Sequence, residues 1–115
     1  MLSTSPERTN SQNSISIDVN EALKALDNPT RLTILSWLKD PRKNFPEQGI
    51  DPQEVGVCVS IIQKHVGLSQ STVSSYMAVL QRAQLVTSRR IGPWTYYKRH
   101  EKNIESLLEA LNALI

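Results

Sequence analysis

The chain has 115 residues, with 13 Lys and Arg, 11 Asp and Glu and a single cysteine. That length allows one domain with a modest core, and one cysteine excludes an intramolecular disulfide framework and fits a reducing compartment. The net charge of +2 conceals a segregation: every acid lies in residues 1–54 or 101–115, so Lys64, Arg82, Arg89, Arg90, Lys98 and Arg99 stand unopposed in the middle, which favours a polyanionic partner for that segment.

The first residues hold no apolar signal-peptide core, and no run approaches membrane-spanning length, so a cytoplasmic protein without a membrane partner is expected. Residues 1–14 are rich in Ser, Thr, Asn and Gln and are predicted to be a mobile tail, leaving 15–115 as the folded domain. Asp18-Val-Asn-Glu21 has the form of a capping box. It predicts a first helix from about Val19 to Leu26, with Val19, Ala22, Leu23 and Leu26 on one side. Asn28-Pro29 reads as a cap followed by proline at the first helical position. The second helix should carry Leu32, Leu35 and Leu38 inward, flanked by Ile34 and Trp37, and end near Lys39, because Asp40-Pro41 disfavours continuation. Residues 40–57, with Pro41, Pro46, Gly49 and Pro52, form a long connection anchored by Phe45 and Ile50.

Ser60-Ile-Ile-Gln63 is a second capping box and predicts a third helix over about 61–66 that packs Ile61, Ile62 and Val66. Gly67 breaks it. Ser69 can cap a fourth helix running to about Gln84, on which Val73, Met77 and Leu80 recur at i, i+4 and i+7. The other face of its start carries Gln70, Ser71, Ser74 and Ser75. A short helix, a glycine turn and a longer helix with a small polar N-terminal face suit the DNA major groove. The period then changes. Leu85 to Arg90 and Trp94 to Lys98 read as strands joined at Ile91-Gly-Pro93, a wing with Arg89 and Arg90 entering its tip and Lys98 and Arg99 leaving it. From about Lys102, residues Ile104, Leu107, Leu108, Leu111 and Leu114 form a last helix too apolar to stand free. The fold class is mostly α with a small β-hairpin, a winged helix-turn-helix in the order α-α-α-α-β-β-α.

Three stretches in this order, Asp27-Asn-Pro-Thr-Arg-Leu-Thr-Ile-Leu, Gly67-Leu-Ser-Gln-Ser-Thr-Val-Ser and Leu85-Val-Thr-Ser-Arg-Arg-Ile-Gly-Pro-Trp-Thr-Tyr-Tyr, resemble the ArsR/SmtB family of bacterial winged-helix repressors. The resemblance covers roughly residues 17–114. It implies a homodimer joined through the first and last helices, bound to a near-palindromic double-stranded operator and released by an inducer, which the residues do not name. It places Leu23, Ile104, Leu107, Leu108 and Leu111 at the dimer interface. The chain departs from the family's metal-sensing pattern. Where that pattern has a Cys-Val-Cys-Asp-Leu type motif at the start of the third helix, this chain reads Cys58-Val59-Ser60-Ile61-Ile62, and one thiol does not supply the three or four ligands of a soft-metal site. Glu101, Glu105 and Glu109, four residues apart on the last helix, read as a solvated face. Neither usual metal site, and no cofactor, is expected.

Gln70, Ser71, Ser74 and Ser75 are the direct-readout candidates, glutamine pairing with adenine and serine donating or accepting less selectively. Thr72 and Tyr76 could reach phosphate, or Tyr76 could pack against the wing. The family often carries a cation near Ser75 and a histidine at the place of Tyr76, both absent here. Arg89, Arg90, Lys98 and Arg99 are wing candidates for phosphate or the minor groove, though alternate strand residues face opposite ways. Lys64 and Arg82 are weaker phosphate candidates, and His65 a surface residue. Cys58 reads first as a small buried apolar residue and second as a thiol sensor, which would need a lowered thiol pKa. The functional expectation is a sequence-specific DNA-binding repressor. The alternatives are a winged-helix module for protein or RNA contact, and a sensor repressor acting through Cys58. No metal-hydrolase, phosphate-loop or nucleophile-elbow motif supports an enzyme.

Overall fold

The computed structural model describes residues 17–115. The expected tail, 1–14, lies outside the described residues. Helix α1 spans Val19–Leu26 and α2 spans Pro29–Leu38. Both start as the capping signals require: Asp18 accepts from the Glu21 amide at 3.1 Å, and Asn28 Oδ1 accepts from the Arg31 amide at 3.0 Å. Arg31 closes the other end of α1, its guanidinium donating to the carbonyls of Ala25 (2.6 Å) and Lys24 (3.2 Å), which satisfies acceptors a helix end leaves free. One short motif, Asn28 to Arg31, thus fixes the corner between two helices.

The inward face of α2 differs from expectation. Ile34, Leu35 and Leu38 are buried, while Leu32 is exposed. At about 100° per residue, a stripe centred on 34, 35 and 38 leaves Leu32 more than a quarter turn away. On α1, Ala22 and Ala25 are buried and Leu23 is exposed.

Residues 40–57 are ordered structure rather than a bare connection. They hold two single-turn helices, α3 (Pro41–Asn44) and α4 (Pro52–Val55), and enter a strand, β1 (Val57–Cys58). Phe45 is fully buried as expected, but Ile50 is exposed and lies outside the core. Gln48 ties the connection together. Its Nε2 donates to the carbonyls of Ile50 (2.9 Å) and Gly56 (2.8 Å), and its Oε1 accepts from the Cys58 amide (2.9 Å). Arg42 clamps Asp51 with two bonds of 3.0 and 2.7 Å.

Helix α5 spans Val59–Val66 and α6 spans Gln70–Arg82. The capping box at Ser60 does not form. Cys58 is the N-cap of α5 without a side-chain cap bond, because the pairing of β1 fixes the backbone there and the helix begins two residues earlier than expected. Gly67 ends α5 at φ 78, a left-handed conformation glycine takes without penalty. The fully buried trio Val73, Met77 and Leu80 seats α6 in a core shared with Ile34, Phe45, Val57, Ile62 and Leu85. Burial of each such side chain stabilises by about 1.5–3 kcal/mol.

Strands β2 (Val86–Ile91) and β3 (Trp94–Arg99) make the hairpin, and β1 adds to it, giving a three-stranded antiparallel sheet in the order β1-β3-β2. The final helix α7 covers Glu101–Leu114. The expected order α-α-α-α-β-β-α is therefore present, with two short helices and one strand added to it before α5. Among the described residues, no helix is long and apolar enough to cross a membrane.

Candidate nucleic-acid interface

The start of α6 is built by Ser69. Its hydroxyl accepts from the Thr72 amide at 3.2 Å, donates to Thr72 Oγ1 at 2.9 Å, and lies 3.2 Å from Ser71 Oγ. Gln70, Ser71, Ser74 and Ser75 are exposed at the start of the helix, Ser71 and Ser75 opposite the buried Val73 and Met77 and Gln70 and Ser74 on the flank of that stripe, and Thr72 is half-buried beside the cap. The structure thus brings the four direct-readout candidates together on one outward surface, at the positive end of a helix dipole and with no acid in its first turn. Tyr76 is half-buried with the Arg31 guanidinium 5.5 Å from its ring centroid, a cation–π contact that ties α6 to the α1–α2 corner.

The hairpin is joined to α6 by Gln81 Nε2, which donates to Ser88 Oγ at 2.9 Å. Strand register sorts the wing residues by face. Val86, Ser88 and Arg90 pair with Arg99, Tyr97 and Thr95 on one face, and Thr87, Arg89 and Ile91 pair with Lys98, Tyr96 and Trp94 on the other. Val86, Tyr96 and Tyr97 are buried at the body end, while every residue from Thr87 to Trp94 is exposed.

The four wing cations part company accordingly. Arg89 and Arg90 are exposed in the outer half. Lys98 and Arg99 sit at the base and are already engaged. Lys98 Nζ donates to the Glu54 carbonyl at 3.2 Å, and Arg99 holds Glu101 through two bonds of 3.0 and 2.7 Å, its side chain 14% exposed. In this structure Lys98 and Arg99 are thus engaged with Glu54 and Glu101, unlike Arg89 and Arg90. Lys64 and Arg82 are exposed.

His65 is tied to the connection, with Nε2 2.8 Å from Glu47 Oε2 and its ring 4.7 Å from Phe45 and 5.8 Å from Trp37. The His65 bond holds the Glu47 carboxyl below its ordinary range, and the Arg42 clamp does the same for Asp51. Cys58 is 6% exposed, with Sγ 3.2 Å from Ser60 Oγ, so the thiol is shielded from solvent. Among the described residues, no three His, Cys, Asp or Glu side chains are placed to hold a metal ion.

Of the residues expected at a dimer interface, Ile104 and Leu107 are buried in the protomer's own core and Leu111 is packed against it. The free apolar area comes from Leu23 and Leu108, 43% and 60% exposed, and from Leu114, also exposed on α7. Sequence reasoning missed Gln48, Arg31 and Gln81, whose partners lie on other elements. Only Arg31 carried a signal, since it stands in the motif that follows the Asn28-Pro29 cap.

The chain is 48% identical to the HTH-type transcriptional regulator YbzH of Bacillus subtilis over 83% of its own length and 96% of that protein. It is 37% identical to ArsR2 of Halobacterium salinarum, named as an arsenical resistance operon repressor, over 82% of this chain and 68% of that one. Among solved structures, it superposes with a TM-score of 0.59 and 25% identity on Mb0332 of Mycobacterium bovis, covering 84% of this chain and 77% of that one. That structure is described as a homodimeric winged helix-turn-helix DNA-binding domain. No family model matches the chain.

Proposed function

The chain belongs to the ArsR family of winged helix-turn-helix transcriptional regulators, and from that membership we propose that it is a dimeric, non-enzymatic repressor that reads a near-palindromic operator in the cytoplasm. In this reading Gln70, Ser71, Ser74 and Ser75 meet base edges in the major groove, Thr72 lies close to the backbone, and Arg89 and Arg90 neutralise phosphates beside the site. The observation that carries it is the exposed, acid-free polar start of α6, bonded through Gln81 to a wing whose outer half holds two free arginines. The homodimeric description of the Mycobacterium bovis relative supports two copies, and Leu23 and Leu108 supply apolar surface on the first and last helices for such a contact. The burial of Cys58 counts against a thiol sensor open to oxidants.

The test is fluorescence anisotropy with a duplex from the chain's own upstream region against a scrambled duplex, at two salt concentrations. Tighter binding to the native duplex that survives the higher salt is expected. Equal binding that collapses with salt would mean that only the phosphate attraction is present, and would move weight to protein or RNA contact. For the dimer, Leu108→Asp should yield monomers in sedimentation and lose operator affinity, whereas a dimeric mutant removes α7 from the interface.

A further inference from the structure

The outer wing ends in an apolar pair. Ile91 and Trp94 are register partners across the Gly92-Pro93 turn, 37% and 53% exposed. Gly92 adopts φ 59, which lets two residues close the hairpin, and Pro93 fixes its own φ, so the tip is narrow and stiff. Arg89 lies just behind it on the face of Trp94, and Arg90 just behind it on the opposite face. Trp94 stands outside the protomer's core, and its large flat surface is placed at the far end of an element bonded to α6.

We propose that Ile91 and Trp94 form an apolar wedge that enters the minor groove next to the bases met by α6 and parts a base step there, with Arg89 and Arg90 holding the phosphates on either side. This rests on the reading of α6 and the wing as the DNA-binding face. Apolar side chains at such positions partly unstack the duplex and bend it toward the major groove. Pyrimidine–purine steps such as TA and CA open most readily. The wedge therefore confers a preference for a deformable step at a position where no hydrogen bond reads a base.

The chain has two tryptophans, Trp37 in the body and Trp94 at the tip, so the difference between the unaltered protein and Trp94→Ala isolates the emission of the tip. Both proteins are titrated with an end-labelled upstream duplex, following anisotropy, tryptophan emission and energy transfer between the duplex ends. Trp94 emission should be quenched on binding. Trp94→Ala should bind roughly tenfold more weakly, as for loss of one base–aromatic stack, and leave the duplex straighter, while Trp94→Phe keeps most of the bend. Replacing a TA or CA step under the wing with a GC step should weaken the unaltered protein and leave Trp94→Ala unchanged. Saturable, sequence-specific binding with unaltered Trp94 emission and bend would sink the wedge and leave the α6 reading standing. Failure to bind any duplex would sink both. A Trp94 emission that shifts to the blue with protein concentration alone would assign the tip to a protein contact and overturn the proposal.

Discussion

The two ends of the wing hairpin carry the same kinds of residue, a pair of cations, aromatics and a nearby glycine, in opposite circumstances. At the base, Lys98 and Arg99 hold Glu54 and Glu101, Tyr96 and Tyr97 are buried, and Gly56 lies against β3 so closely that an added Cβ would stand 2.8 Å from the Tyr97 carbonyl oxygen. At the tip, Arg89, Arg90 and Trp94 are exposed, and a Cβ on Gly92 would meet nothing within 4 Å. A cation's availability thus follows from its neighbours across the fold. The base commits its charges to the scaffold, and the tip leaves them exposed.

The largest effect should come from the glycines. Gly56→Ala forces a backbone clash at φ 103 and should cost about 3 kcal/mol or more in urea unfolding, against about 1 kcal/mol for Gly92→Ala, whose only penalty is its left-handed φ of 59. Equal losses would erase the distinction between the two ends. Next, Arg89→Ala with Arg90→Ala should weaken binding to every duplex roughly ten- to hundredfold and flatten the logarithmic salt slope by about 2, whereas Arg99→Ala should leave the slope unchanged and cost at most about 1 kcal/mol of stability. A slope change with Arg99→Ala alone would show that its pair with Glu101 opens on DNA.

The smallest effect concerns acid. Glu47 and Asp51, in the connection behind the base, have depressed carboxyl pKa values, through His65 and Arg42 respectively. Their contribution is complete above the ordinary carboxylate range near 4 and is lost as pH falls through the lower folded values. In a titration from pH 5 to 3, NMR shifts around Asp51 and Gln53 should move while those at Gly92 stay still, since no acid lies between Val55 and His100. A tip that moves in step with the connection would show that the two are coupled.

Much of the fold was legible because its signals are local. Asp18, Asn28 and Ser69 each cap the helix that follows them, and the Val73, Met77, Leu80 spacing lies on the buried face of α6. What escaped is non-local. Strand β1 exists only because Val57 and Cys58 find Tyr97 and Tyr96 some forty residues on, and that pairing overrides the capping box at Ser60. Gln48 looks like any surface glutamine until Gly56 and Cys58 are folded against it. For the candidate interface, the polar start of α6 could be read from the sequence. The engagement of Lys98 could not, since its acceptor is a backbone carbonyl 44 residues away.

Asn103 is buried on α7, where its Nδ2 donates at 3.0 Å to the carbonyl of Gln84, the one described non-glycine residue with positive φ (64), just past the end of α6. A single amide thus pins α7, the helix proposed to carry the dimer contact, to the exit of α6, the helix proposed to face DNA. Any rotation of α7 must drag that exit with it or break a partly buried hydrogen bond. Subunit association and operator affinity then become thermodynamically reciprocal. A change at the subunit contact that alters DNA affinity by some factor is matched by an equal factor exerted by DNA on that contact.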